Sequence, residues 1–291
     1  MVIDIHLHPL YHQYNASDIV ANMDRNAIDM TCLLSWEAPD TDYDPMTKYA
    51  LTPFGGGPLP FEYCVRYREA FPTRFLLGFC PDPRRPDAIM KLKSAAGLYD
   101  ISLCGELKLR MMYDNPDAIR MYRHCGEEKL PVLVHLDYEL PSGNAYPWPN
   151  YWYGGGLDAL ERAIALCPET IFIGHAPGFW AHISGDDKHK TESYPKGPVL
   201  PGGRVAELLE KYPNLYCDIS ANSGHNALNR DRDYARKFLI TYQDRICFGR
   251  DLYENIHKEL LERLDLPNGA LNKIYSGNAL KILRNGMKIN P

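Results

Sequence analysis

No stretch of this chain holds the run of about 18 apolar residues that a membrane-spanning helix needs. The opening MVIDIHLHPL also lacks the basic-then-apolar order of a secretory signal, so the expected location is the cytoplasm. No run of Lys and Arg stands out, and a net charge of −5 makes no electrostatic case for nucleic acid or an anionic membrane as partner. The eight cysteines include no C-x-x-C pair. Cys32, Cys104, Cys217 and Cys247 sit inside apolar strand-like runs, where a thiol behaves as a small hydrophobe; core thiols are expected, not disulfides or a thiolate metal site. Internal repeats and low-complexity tails are absent as well. Finally, no G-x-G-x-x-G follows the first strand-like run, which removes the phosphate-cradling turn of a doubly wound dinucleotide-binding sheet.

What the chain does carry is alternation. Eight short apolar, β-branched runs recur, at residues 2–7, 30–35, 74–79, 102–109, 131–136, 170–175, 214–219 and 245–249. Between them, residues 18–27, 87–98, 157–166, 205–212, 231–242 and 256–264 show the apolar spacing of surface helices. Ser17 is placed to cap the first helix and Pro86 to open the second. Asn115-Pro116-Asp117 is placed to open a helix that runs to about Lys129. Strand–helix alternation repeated eight times predicts an α/β protein, a somewhat distorted (β/α)8 TIM barrel. The 291 residues would allow two domains, but barrels of this kind reach that size as one, so a single domain over 1–291 is expected.

Long loops at 36–60, 137–156 and 176–203 follow the second, fifth and sixth runs, on the face where barrel active sites lie. Their aromatics, Trp36, Tyr43, Phe54, Trp148, Tyr151, Trp152, Phe179 and Trp180, are expected as a group to cap a pocket. For any one of them, packing that stills a long loop is an equal explanation.

The chemistry begins with Ile5-His6-Leu7-His8 at the end of the first run. Side chains alternate along a strand, so His6 and His8 face the same way and two neutral imidazoles can reach one cation. Alone this H-x-H is weak, since two histidines on a surface strand look the same. The other polar residues strengthen it. His135 closes the fifth run and His175 the sixth, Asp251 follows the eighth, and Glu106 lies within the fourth. A lone buried histidine is usually a satisfied core residue, and a strand-end aspartate is often a helix cap. Convergence of all of them on one barrel mouth explains the shared placement better.

With these residues in place, the chain resembles the amidohydrolase superfamily, in the amidohydrolase-related branch that also holds decarboxylases, lactonases and hydratases. The resemblance runs from IDIHLHP to the closing KIYSGNALKIL. It implies a metal-dependent enzyme with zinc or a similar divalent ion, one or two per chain. His6 and His8 would bind the more buried ion, with Asp251 as a further ligand. In single-metal members His135 would complete the site and His175 would act on substrate. In two-metal members a carboxylate from the fourth strand bridges the ions, and His135 and His175 hold the second. Glu106 in GELK is similar to that bridge as it stands in TatD-like deoxyribonucleases (GEIG). Lys108 shares its parity, and a carbamylated lysine is the superfamily's other bridge. The bland alternative is that Glu106 and Lys108 pair with each other. Arg250 departs from the branch, where a small residue often precedes the aspartate; its parity points it away from the barrel axis, towards a helix carboxylate.

In this reading Asp251 shuttles the proton of a metal-activated water and His175, or the second ion, stabilises the developing charge on the scissile carbonyl. Arg110 and Lys108 are candidates for a substrate carboxylate, although a rim salt bridge is the simpler explanation of Arg110. Asn222, with Ser223, is a candidate substrate contact, but a polar turn before a helix accounts for both. The expected activity is hydrolysis of a small-molecule ester, lactone or amide. The alternative is decarboxylation or hydration of a small unsaturated carboxylic acid, with a TatD-like nuclease third because Asp40, Asp42, Asp44, Asp186 and Asp187 line the long loops. Barrels of this size often self-associate, so a homo-oligomer stays open.

Overall fold

The structure is a computed structural model that describes residues 1–10, 13–42, 59–137 and 152–284. Tyr43, Asp44, Phe54, Trp148 and Tyr151 lie outside the described residues. Eight parallel strands follow one another: β1 (Ile3–Leu7), β2 (Met30–Trp36), β3 (Phe75–Cys80), β4 (Cys104–Leu107), β5 (Val132–His135), β6 (Phe172–His175), β7 (Leu215–Asp218) and β8 (Ile246–Cys247). Each falls within or one residue beyond an apolar run. Nearly every strand residue is buried, because helices cover the outer face of a parallel barrel while side chains fill its interior.

Continuous ladders order the strands as β1-β2-β3 and β4-β5-β6-β7-β8. Two seams join these sheets into the (β/α)8 barrel. At one, Gly78 bridges Leu103, with Ser102 N–H donating to Leu77 O at 2.7 Å. At the other, Ile5 N–H donates to Phe248 O at 3.0 Å and Asp251 N–H to His6 O at 2.8 Å.

The helices are α1 (Ala16–Arg25), α2 (Phe61–Ala70), α3 (Ala88–Tyr99), α4 (Pro116–Glu127), α5 (Leu157–Leu166), α6 (Pro177–Trp180), α7 (Arg204–Lys211), α8 (Ala221–Asn229), α9 (Arg232–Thr241), α10 (Ile256–Arg263), α11 (Asn268–Asn272) and α12 (Asn278–Ile282). The helical stretches read from spacing are all present, and α2, α6, α8 and α11 are additions. No helix among the described residues is long and apolar enough to cross a membrane. All eight cysteines are buried and free, so the thiols do pack as hydrophobes.

Two apolar layers result. Ile3, Ile5, Cys32, Leu34, Leu103, Leu133, Ile173 and Cys247 fill the barrel, closed from below by Ala279 and Ile282 of α12. Leu7, Leu33, Cys104, Leu107, Val134 and Cys217 belong to the layer between strands and helices. Ile5 and Leu7 therefore lie in different layers despite sharing parity. The register of β1 shifts between Asp4 and Leu7, and that of β4 between Cys104 and Leu107. Such irregularities re-aim side chains near active sites. Here they let Ile5 fill the interior while His6, the very next residue, turns to the rim.

One helix start differs from expectation. Asn15 caps α1, its side chain accepting from Asp18 N–H at 3.0 Å while the Asp18 carboxylate accepts from Asn15 N–H at 3.1 Å. Ser17 is instead an exposed first-turn residue. Asn, like Ser, is a strong cap, and the reciprocal acid three residues on favours Asn15. Replacing Asn15 by Ala should lower the unfolding free energy by about 1 kcal/mol, whereas Ser17→Ala should stay within about 0.5 kcal/mol of wild type. Urea unfolding monitored by circular dichroism checks both.

Candidate metal centre

Glu106, almost fully buried, sits centrally among the histidines at the strand ends. Its Oε2 lies 3.5 Å from His8 Nε2, and its Oε1 lies 3.7 Å from both His6 Nε2 and His175 Nε2 and 2.6 Å from His135 Nδ1. Asp251 approaches from beyond β8, its Oδ1 being 3.4 Å from His8 Nε2 and 3.9 Å from His6 Nε2, with Oδ2 3.9 Å from His175 Nε2. The structure thus brings together all six residues singled out as ligands. They fall into two donor groups that could each hold an ion, His6–His8–Asp251 and Glu106–His135–His175.

Two residues behind the cluster were not anticipated. Asp218, the last residue of β7, accepts from His6 Nδ1 at 2.8 Å through Oδ2 and from His175 Nδ1 at 2.9 Å through Oδ1. An ionised carboxylate only accepts, so both imidazoles carry a proton on Nδ1, and as neutral rings they would turn a lone-pair Nε2 towards Glu106 and Asp251. Ser220 Oγ donates to Asp218 Oδ1 at 2.6 Å, and Trp180 Nε1–H donates to Asp218 O at 2.9 Å. Asp137 is the second: its Oδ2 lies 2.7 Å from His135 Nε2, so that ring stands between two carboxylates. A signal for Asp218 existed, since it ends its apolar run just as His135 and His175 end theirs.

The electrostatics follow from burial and mutual contact. Burial alone would push Asp218 up, but the charge and hydrogen bonds of His175 and His6 outweigh it and hold the carboxyl far below its ordinary range. Glu106 is likewise held low against its burial, by His135, His8 and His6. Burial works to lower His6, yet Asp251, Asp218 and Glu106 together raise it. His257 on α10 behaves in the opposite way. Its Nε2 lies 2.8 Å from Ala221 O, and burial pushes it down to about 4.

The remaining expectations separate. Lys108 is buried beside the cluster, its ammonium 5.4 Å from the Tyr153 ring centre and 6.0 Å from that of Trp36. Burial opposes its charge, but the nearby Glu106, Tyr153 and Asp137 carry its pKa above the ordinary lysine value. It makes no ion pair with Glu106 among the described residues. Arg110 lies at the rim, its Nη1–H donating to Thr41 O at 3.4 Å and its backbone N–H to Asp42 at 3.0 Å. Asn222 stands exposed in the first turn of α8, where a turn was expected, and Ser223 is buried in the same helix. Arg250 does turn away from the axis, but its carboxylate partner is Asp4 on β1 and not a helix residue. Trp36 packs edge-on against His8, centroids 5.2 Å apart. Phe179 and Trp180 are buried against Gly174 and Asp218 as part of the wall and not as a cap. Of the loop acids, Asp42 pairs with Arg84 and Asp186 with Arg230.

A divalent cation fits this donor set. His6 Nε2, His175 Nε2 and Asp251 Oδ1 are buried atoms without a hydrogen-bond partner, an arrangement that costs roughly 1–3 kcal/mol per group unless something else satisfies them. Tetrahedral ligands at about 2.1 Å from a cation stand about 3.4 Å apart. The open nitrogen–oxygen gaps here are 3.4 to 3.9 Å.

The chain is a parallel α/β barrel whose rim gathers imidazoles and carboxylates around a common space, a candidate site for an ion. The family is more specific: the amidohydrolase family matches residues 3–284, and the chain belongs to it. No curated protein matches the chain. Several solved structures share its fold. A TIM-barrel protein from Bordetella bronchiseptica, described as uncharacterized, superposes with a TM-score of 0.66 at 15% identity, over 97% of each chain. A dihydroxybenzoic acid decarboxylase from a Polaromonas species, with manganese and the inhibitor 2-nitroresorcinol bound, gives 0.60 at 17% identity over 100% of this chain and 97% of the other. A probable 2-pyrone-4,6-dicarboxylic acid hydrolase from Acinetobacter baumannii, with citric acid bound, gives 0.59 at 11% identity over 97% and 98%.

Two outcomes are expected. An amide at position 218 offers one oxygen and one NH2, so in Asp218→Asn one imidazole must move its proton to Nε2, towards the cluster. Zinc affinity, measured against a competing chelator, should fall about 10- to 100-fold. For His257 the folded pKa lies below the unfolded value of 6.5, so the unfolded chain binds the proton more readily and stability falls as pH drops from 6.5 towards about 4. His257→Gln, which keeps a donor for Ala221 O, should flatten that part of the Tm-against-pH curve; an unchanged slope would assign it to other groups.

Proposed function

We propose that this protein is a metal-dependent hydrolase that cleaves an ester, lactone or amide of a small molecule with a metal-activated water. One observation carries the reading: Glu106 stands between the two donor groups, Oε2 near His8 and Oε1 near His6, His135 and His175. A carboxylate facing two donor groups suits a pair of bridged ions, and such pairs clamp the attacking and leaving oxygens of a displacement. His6, His8 and Asp251 would hold one ion, and His135 and His175 the other. Zinc is the ion favoured by nitrogen-rich tetrahedral donors, and manganese the alternative that the decarboxylase neighbour supports. A bound divalent ion supplies Lewis acidity, which brings the pKa of water from 15.7 towards about 7.

The chain's own residues do the rest. Asp251 is the member of the cluster most open to solvent, and its Oδ1 has no hydrogen bond. In this reading Asp251 would accept the water's proton and return it to the leaving group. His175, fixed by Asp218, presents Nε2 at the same space. Lys108 has neither a hydrogen bond nor an ion pair among the described residues, so its ammonium is free to receive an anionic group of the substrate, with Arg110 farther out at the rim.

A second reading, decarboxylation or hydration of a small unsaturated carboxylic acid, rests on the same His175. If only one ion is held, by His6, His8, His135 and Asp251, the unpartnered Nε2 of His175 is left to exchange a proton with a substrate carbon. The decarboxylase neighbour supports this reading as the hydrolase neighbour supports the first.

Metal content of the purified protein, read beside activity, tests both. Two equivalents, with cleavage of a lactone and aryl-ester panel and no carbon dioxide from dihydroxybenzoates, are expected. One equivalent with carbon dioxide release would transfer the assignment to the lyase. Asp251→Asn should cost about 10²- to 10⁴-fold in kcat, and turnover that survives complete chelation would refute both readings.

A further inference from the structure

The donor group His6–His8–Asp251 straddles the seam between β8 and β1, and that seam has no continuous ladder. β8 comprises only Ile246–Cys247, so strand pairing stops well before Asp251. Something else must fix how far Asp251 stands from the two histidines. Asp4 Oδ1 accepts both His6 N–H, at 3.1 Å, and Arg250 N–H, at 3.0 Å. One oxygen therefore holds the backbone of a candidate ligand on one side of the seam and of the residue preceding another on the opposite side. Its second oxygen accepts Arg250 Nε–H at 2.8 Å, and Arg250 Nη1–H donates to Asn22 Oδ1 at 2.7 Å. Asn22 on α1 in turn donates to Tyr253 O at 2.8 Å, beyond Asp251. The ring closes where Asp251 N–H donates to His6 O at 2.8 Å. Asp251 itself has φ 48°, a left-handed conformation that a non-glycine residue holds only when its surroundings impose it.

We infer that Asp4 and Arg250 are positioning residues for the candidate metal centre, a buried clasp that sets the separation of Asp251 from His6 and His8. The inference rests on the metal reading above. Both side chains are fully buried. A buried ion pair is weak evidence for stability, because well-packed apolar replacements are often neutral or better. Geometry is what an apolar pair could not reproduce: no hydrocarbon accepts two amides from opposite sides of a seam.

That contrast gives the experiment. The double variant Asp4→Leu/Arg250→Met should fold, with a chelator-treated Tm below that of chelator-treated wild type because the His6 and Arg250 amides lose their acceptor. Its affinity for zinc, measured against a competing chelator, should fall about 10- to 100-fold, the usual effect of removing support behind a ligand. Arg250→Lys keeps the charge but not the fork that spans Asp4 and Asn22, and should weaken zinc binding in the same direction. It also serves if the double variant does not fold. A folded variant of either kind that binds zinc within twofold of wild type overturns the clasp. Wild-type protein that takes up no divalent ion would instead overturn the metal reading itself, and the clasp with it.

Discussion

Buried negative charge is the constraint around which this barrel mouth is organised. Glu106, Asp137 and Asp218 are nearly or fully buried, and Asp251 is largely so. A carboxylate taken out of water costs several kcal/mol even after relaxation, unless something positive or strongly hydrogen-bonding meets it. The partners supplied are imidazoles, which share protons with the carboxylates, and one lysine that stands over aromatic rings instead of pairing with Glu106. Arginine, the usual mate of a buried carboxylate, is kept for Asp4 behind the strands. An arrangement that concentrates acids, surrounds them with nitrogen donors and sets a single lysine beside them suits a further cation from outside. Most side chains near the rim can be understood from that arrangement.

The second requirement is precision at places where the sheet gives little. Ladders fix neighbouring strands from β4 to β8, and His135 pairs in register with His175. Across the seams there is no such ruler. The irregularities in β1 and β4 turn His6 and Glu106 to the rim next to residues that belong to the core. Hydrogen bonds from side chain to backbone then replace the missing ladder. Backbone irregularity and side-chain clasp thus work together: one aims the ligands and the other holds their spacing.

This division explains what could be read in the sequence. The strands were legible because a barrel strand buried on both faces needs a continuous apolar run, and the polar residue that ends such a run, as His135 and His175 do, stands out. His6 and His8 were legible through their spacing alone, without knowledge of the register shift that makes Ile5 and His6 compatible. Asp218 was harder. It also ends an apolar run, but Ser220, Asn222 and Ser223 follow at once, and a cluster of small polar residues reads as the start of a helix. The local pattern points to Asn222 instead, which is exposed. Asp137 follows His135 by two residues at the start of a long loop and has no periodic neighbour to mark it. Arg250 was correctly turned outward by parity, yet its partner on β1 is 246 residues away in sequence and no local pattern connects them.

The choice between hydrolysis and lyase chemistry turns on the same shared carboxylate. Asp218 grips His6 and His175 with its two oxygens, so the orientation and tautomer of a candidate ion ligand and of a candidate proton carrier have one source. In the two-ion reading both Nε2 atoms serve as ligands, and the sharing is an economy of construction. With a single ion, His6 alone is committed, and its proton demand and that of His175 meet at Asp218. Protonating His175 at Nε2 would draw Asp218 towards it and alter the grip on His6. In the lyase reading Asp218 would therefore couple ion binding to proton transfer, whereas in the hydrolytic one His175 would itself be a ligand. That difference is built into the carboxylate behind the site and does not depend on which substrate arrives in front of it.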